Sequence, residues 1–155
     1  MLASGIAAVT AGGWSQDWLW GVFMIVLTVT LHTGCLVLIG DLLIRLEPLL
    51  SRWLGHRRLL GIIMLTATLS LAVALLFSLA AMLWALAYLV VGAFSHFHVA
   101  VYYSLTMITT TGYDGIDLPL HWRLMGMLEA VSGVLLAGIS TAFLFAVLQK
   151  VWPHR

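Results

Sequence analysis

Three consecutive threonines, residues 109–111, are followed by Gly-Tyr-Asp-Gly at residues 112–115. Each threonine carries a hydroxyl oxygen beside its carbonyl oxygen, and such oxygens can replace the hydration shell of a cation. Removing water from an ion in a low dielectric costs on the order of tens of kcal/mol, so several oxygens must converge on the ion at once. Gly112 permits backbone angles that a branched residue resists. The stretch therefore predicts a site where a cation is dehydrated by protein oxygens.

The surroundings of the threonines place this site in a membrane. Residues 99–113 carry no charge, but these fifteen residues are too few to cross a bilayer that needs about 20 helical residues. The chain should therefore enter the membrane and turn back. Backbone outside a helix is tolerated at that depth only where protein covers it or it lines a water-filled cavity. A helix over residues 99–108 would direct its C-terminal partial negative charge at the membrane centre, where a cation needs it.

The composition is that of a membrane protein. Hydrophobic residues make up 63% of the chain, charged residues 8%, and the mean hydropathy is +1.09. The net charge of +1 gives no support to a nucleic-acid partner, and the single cysteine, Cys35, excludes an intrachain disulfide. Enzymatic activity is not expected, because no nucleophile–base pair or metal-ligand cluster is present in the sequence. We expect one small domain surrounded by a lipid bilayer.

The order of apolar and basic stretches predicts the organisation of the chain. The expected segments are an external or interfacial segment at 1–17, a transmembrane helix at 18–47, a basic loop at 48–58 and a module at 59–155 that comprises an outer helix at 59–92, a short helix and loop at 99–115 and an inner helix at 120–150. Four of the seven basic residues lie at or near the loop, and basic loops stay cytoplasmic. We therefore expect a cell-membrane protein with its N-terminus outside and its C-terminus in the cytoplasm.

Several histidines are candidates for a functional role. His32 lies in the middle of the first span, where a neutral imidazole bonded to a neighbouring helix is preferred to a functional group. His96 and His98 have an alternate spacing that suits a metal only if a third ligand exists. The sequence offers no such ligand, so exposed histidines beside the short helix are preferred there.

The stretch at 102–115, YYSLTMITTTGYDG, resembles the pore helix and selectivity filter of potassium channels, whose filter reads threonine, threonine, valine, glycine, tyrosine, glycine, aspartate. The positions that match are the aromatic-aromatic-serine run of the pore helix and four filter residues: Tyr102, Tyr103, Ser104, Thr109, Thr110, Gly112 and Tyr113. Thr111 replaces the valine, Asp114 falls on the second glycine, and Gly115 falls on the aspartate.

The third span, residues 122–148, resembles the inner helix of the same family. Gly133 matches the hinge glycine, and the resemblance implies that Val134, Ala137 and Thr141 face a cavity whose inner end Phe145 narrows. The resemblance covers roughly the last 95 residues and leaves out the first helix. It implies an all-α homotetramer with three transmembrane helices per chain and a re-entrant pore helix and filter loop between the second and third.

The resemblance also implies which residues serve the ion. Potassium would bind at Thr110, Thr111, Gly112 and Tyr113, with Asp114 at the outer end of the filter. Residues expected to support the filter are Tyr102, Tyr103, Thr106, Thr109 and Glu129. Glu129 is the only acidic residue in the third span, and an intramembrane carboxyl group is by default a functional hypothesis. We expect it to form a hydrogen bond behind the filter, to Ser104 or to Thr106, which occupies a position where some potassium channels carry glutamate.

Asp114 allows more than one conformation of the loop and more than one function. The loop could keep its fold with Asp114 in a strained conformation, or Asp114 could be an extra residue with Gly115 in the place of the glycine. Four carboxylates near the outer mouth would attract divalent cations most strongly. The favoured function is a potassium-conducting channel with no cofactor besides its permeant ions. The alternatives are a nonselective or divalent-permeable channel that passes sodium or calcium, and a non-conducting channel-like membrane subunit.

Overall fold

A computed structural model describes residues 14–54, 58–112, 115–116 and 118–151. Its elements are helix α1 (Trp14–Leu54), helix α2 (Arg58–Val90), helix α3 (Phe97–Ile108), a 3-10 turn (Leu120–Trp122) and helix α4 (Arg123–Val151). The described part contains no strand. Helices α1, α2 and α4 contain stretches long and apolar enough to cross a membrane, whereas α3 has only 12 residues. This confirms the predicted all-helical class with three long apolar helices.

The first helix is longer than the predicted span at 18–47, and the basic loop at 48–58 is correspondingly shorter. Helix α1 starts at Trp14 and continues through Pro48 to Leu54, and α2 already begins at Arg58. The residues after Pro48 are mostly leucine and arginine, which favour helix. Their helix propensity offsets the loss of the hydrogen bond that the proline removes. Residues 1–13 and 55–57 lie outside the described part of the chain.

Helix α2 ends near Gly92, within the charge-free run of residues 59–95, so this run does not form one continuous helix. Gly92 has a φ of +72°, which a residue without a Cβ adopts freely. The Gly92 N–H donates to the Leu89 carbonyl at 3.1 Å, and the Ala93 N–H donates to the Tyr88 carbonyl at 2.9 Å. This pair of bonds is a Schellman motif, which satisfies the last carbonyls of the helix and turns the chain toward α3.

Helices α1 and α4 pack side by side and run in the same direction. A Cβ added to Gly21 would meet Leu128, and one added to Gly40 would lie 3.4 Å from the Phe143 ring. Residue numbers therefore rise along both helices from the first contact to the second. Since no hydrophobic force drives helices together in lipid, close approach at small residues and interhelical hydrogen bonds must hold such a pair.

The core lies where α2, α3 and α4 meet. Large side chains without measurable exposure there include Trp84 and Tyr88 of α2 and Met125 of α4. They surround α3, whose buried residues are Ala100, Tyr103, Ser104 and Ile108. The alanines of α2 at positions 80, 81 and 85 are buried in the same cluster and allow α3 to come close. Packing against the two long helices α2 and α4 therefore positions one short helix and the segment that follows it.

Candidate functional site

The C-terminus of α3 is capped by the first threonine of the run. The Thr109 N–H donates to the Leu105 carbonyl at 3.2 Å, and the Thr109 hydroxyl reaches the same carbonyl at 2.6 Å. The hydroxyls of Thr109 and Thr111 are 3.0 Å apart. Threonine 109 therefore ends the helix and holds the second residue beyond it.

The backbone beyond α3 contains left-handed residues. Thr110 has a φ of +57°, Gly112 a φ of +84° and Gly115 a φ of +80°. The Gly112 N–H returns to the Thr106 carbonyl at 3.1 Å, so the turn is tied to α3. A left-handed conformation costs a branched residue such as threonine roughly 1–2 kcal/mol. Strain of this kind persists only where its surroundings enforce it, and it concentrates at functional sites.

Helix α3 packs against two glycines of α4. A Cβ at Gly133 would lie 1.9 Å from the Ile108 carbonyl oxygen, and a Cβ at Gly126 would lie 2.3 Å from the Tyr103 hydroxyl. The two glycines are seven residues apart and share one face of the helix. The last residue of α3, immediately before the threonine run, thus lies directly against the backbone of α4, in a position that any side chain at Gly133 would block.

Glu129 lies on the same face of α4 between the two glycines and has no exposed surface. The Tyr88 hydroxyl donates to Glu129 Oε2 at 2.7 Å, and the Ser104 hydroxyl donates to Glu129 Oε1. The Ser104 hydroxyl also has the Ala81 carbonyl within 2.8 Å as a second acceptor. One carboxyl group therefore joins α2, α3 and α4 through hydrogen bonds.

Aromatic side chains surround this carboxyl group. Tyr103 packs edge-on against Tyr88, with ring centroids 5.5 Å apart, and lies 5.2 Å from the ring of Phe94. Tyr102, one residue earlier, has 47% of its surface exposed. Tyr103 thus fixes the buried face of α3, whereas the ring of Tyr102 lies partly outside the core.

Comparison with known proteins decides the family. The family model described as "Ion channel" matches residues 63–150, more than half of the chain. The chain belongs to the ion channel family. Searches of curated proteins and of solved structures give no significant match. The matched residues cover most of α2 and α4 and all of α3, which confirms the potassium-channel-like pore module, and α1 lies outside the match.

The inner-helix residues of the channel module share one face of α4. Val134 and Phe145 expose 60% and 61% of their surfaces, and Ala137 and Thr141 between them are also exposed. These positions follow helical spacing and are uncovered within one chain. The face is therefore available to line a cavity, as the resemblance expects. Gly133 itself is helical and buried, and its contact with Ile108 is one of close packing.

The residues predicted to form a filter are described in part. Thr110 and Thr111 are exposed and Gly112 is half-buried, whereas Tyr113 and Asp114 lie outside the described residues. The positive φ of Gly115 is the conformation expected if Gly115 stands in the place of the second filter glycine.

The structure also separates the two partners expected for Glu129. Ser104 is bonded to it, whereas the Thr106 hydroxyl donates to the Tyr103 carbonyl at 2.7 Å. Sequence reasoning missed the third member of the group, Tyr88. The available signal was the single tyrosine of the mostly apolar helix α2, because a buried tyrosine hydroxyl usually finds a partner.

The histidines follow the preferred readings. His32 is buried and its Nε2 lies 2.8 Å from the Ser140 hydroxyl of α4. His96 and His98 are exposed, with rings stacked at a centroid distance of 5.7 Å. Within the described residues, no group of three histidine, cysteine, aspartate or glutamate side chains could hold a metal ion.

Proposed function

We propose that this chain assembles as a homotetrameric cation channel that conducts potassium through residues 109–115. The observation that carries the proposal is the left-handed backbone at Thr110 and Gly112 directly after the cap of α3. Left-handed residues beside right-handed ones turn successive N–H groups to one side, which directs the carbonyl oxygens to the other. A row of carbonyls on one side of the chain is what replacement of an ion's hydration shell requires.

The threonine run also has the right surroundings for this role. Its fixed side is tied to α3 and seated on Gly133, while Thr110 and Thr111 remain exposed within the single chain. Oxygens from one chain approach an ion from one direction only. Four copies around an axis would enclose the ion, and the exposed face of α4 that carries Val134 and Phe145 would then line the cavity below.

The membrane arrangement follows from the same helices. Helix α3 is too short to span a bilayer, so α3 and the threonine run together form a re-entrant loop between α2 and α4. Helices α1 and α4 run in parallel, so one orientation applies to both. The basic residues near the C-terminal ends of α1 and α4 then lie on the cytoplasmic side, with the N-terminus outside.

Ion flux from purified protein in liposomes tests the function. We expect a potassium gradient to drive flux well above that of sodium or calcium, and we expect the protein to migrate as a tetramer in mild detergent. The Gly112→Val variant is expected to lose flux, because a branched side chain resists a φ of +84°. Gly34→Ala is the control, since a Cβ there meets nothing within 4 Å. Flux from a stable monomer would contradict the architecture, and calcium flux equal to potassium flux would support the divalent-permeable alternative.

A change at Thr110 tests which residue forms the innermost ion site. Thr110→Ala removes one hydroxyl per subunit and keeps every backbone carbonyl, so we expect the fold to persist with weaker potassium binding. The concentration at which potassium flux saturates should rise several-fold. Thr68→Ala is the matched control, because the Thr68 hydroxyl donates to the Met64 carbonyl of its own helix at 2.8 Å. An unchanged concentration dependence in Thr110→Ala would remove Thr110 from the ion pathway.

A further inference from the structure

Helix α1 lies outside the channel module, yet two hydrogen bonds attach it to α4. The hydroxyls of Thr28 and Ser132 are 3.1 Å apart, and both residues are buried. Eight residues further along α4, the Ser140 hydroxyl meets His32 Nε2 at 2.8 Å. A hydrogen bond between two membrane helices fixes their register relative to each other, because lipid offers neither polar group another partner.

Helix α1 contacts both halves of α4, and the outer half is packed against other helices as well. The outer half is packed against α2 and α3 through Gly126, Glu129 and Gly133. The inner half is contacted by α1, through the bond from His32 to Ser140 and through Phe143 against Gly40. The position of the inner half of α4, which carries the exposed cavity residues Thr141 and Phe145, therefore depends on α1.

His32 is the residue through which this dependence acts most directly. Its side chain is 3% exposed, and its ring meets Phe77 of α2 edge-on at a centroid distance of 5.7 Å. Its second nitrogen, Nδ1, is buried without a hydrogen-bond partner among the described residues. The bond from Nε2 to Ser140 is thus the one hydrogen bond of a ring held between α1, α2 and α4.

We propose that His32 is a positioning residue that holds the inner half of α4 through Ser140, and that α1 thereby sets the equilibrium between open and closed states of the inner end of the pore. This inference rests on the proposed channel function and assigns to α1 a part in gating. An interhelical hydrogen bond of average strength in a membrane protein shifts an equilibrium by about threefold when it is removed.

Single-channel recording in planar bilayers provides the test. Ser140→Ala and His32→Asn each remove the bond, and we expect the open-to-closed ratio to change about threefold in the same direction in both variants. The double variant should change it no more than either single one. His32→Gln places an amide nitrogen near the position of Nε2 and should restore the wild-type ratio. Thr30→Val, on an exposed face of α1, is the control.

Wild-type gating in both Ser140→Ala and His32→Asn, or additive effects in the double variant, would overturn the proposal. A second measurement does not depend on conduction. A nitroxide on Gln149→Cys, in a Cys35→Ser background, reports the mobility of the inner end of α4. We expect Ser140→Ala and His32→Asn to raise that mobility, and His32→Gln to leave it unchanged. If the wild type carries no current but the variants show these mobility changes, only the proposed channel function is rejected. If the wild type carries current but the mobility does not change in the variants, the role of His32 is rejected.

Discussion

Gly133→Ala is expected to destabilise the protein and abolish ion flux. The added Cβ would lie 1.9 Å from the carbonyl oxygen of Ile108, a backbone atom in the last turn of α3 that no side-chain rotation can move. The helices would have to separate by roughly 1.5 Å to reach ordinary contact. Overpacking of this kind costs about 1–3 kcal/mol. Because the threonine run begins at the next residue, displacement of Ile108 also displaces the proposed ion site.

Two glycines provide controls for this experiment. A Cβ at Gly138 on α4, or at Gly34 on α1, meets nothing within 4 Å. Alanine at either position improves helix propensity without a collision, so both variants should unfold at or above the wild-type temperature. Thermal unfolding in detergent and potassium flux are the two measurements. If Gly133→Ala matched the controls in both, the close seating of α3 on α4 would be refuted.

Glu129→Leu is expected to lower stability by about 1–3 kcal/mol, the cost of a buried polar group left unpaired. The structure assigns most of that cost to one partner. Ser104 can still donate to the Ala81 carbonyl, whereas the Tyr88 hydroxyl has only Glu129 among its hydrogen-bond partners in the described residues. Glu129→Gln should cost less, since the amide keeps the shape of the side chain and can still pair with both hydroxyls.

A compensating variant makes the Glu129 prediction specific. Tyr88→Phe removes the hydroxyl that Glu129→Leu leaves unpaired, so we expect the double variant to regain much of the lost stability. The thermal unfolding temperatures of the single and double variants give the coupling, and potassium flux reports the filter. Equal stability and conductance for wild type, Gln and Leu would make Glu129 an inert position. Additive losses in the double variant would show that Tyr88 and Glu129 act separately.

The sequence by itself determined the class of the protein and the order of its long and short helices. Apolar runs long enough to span a bilayer produced three helices, because the lipid requires every backbone group to pair within its own segment. The short charge-free stretch before the threonines could not span, and it became the 12-residue helix α3. Gly92 ended α2 in a left-handed turn, a conformation that a residue without a Cβ adopts freely. These features are local and can be read without knowing any neighbour.

Only the tertiary structure decided which residues meet. Glu129 is 25 residues from Ser104 and 41 from Tyr88, and the sequence offered Thr106 as an equal partner for it. Gly133 matched a hinge by resemblance, but its approach to Ile108 exists only where α3 crosses α4. The attachment of α1 through His32 and Ser140 spans 108 residues. Such pairings depend on the rotation and depth of whole helices, because in lipid close packing and interhelical hydrogen bonds determine which faces come together.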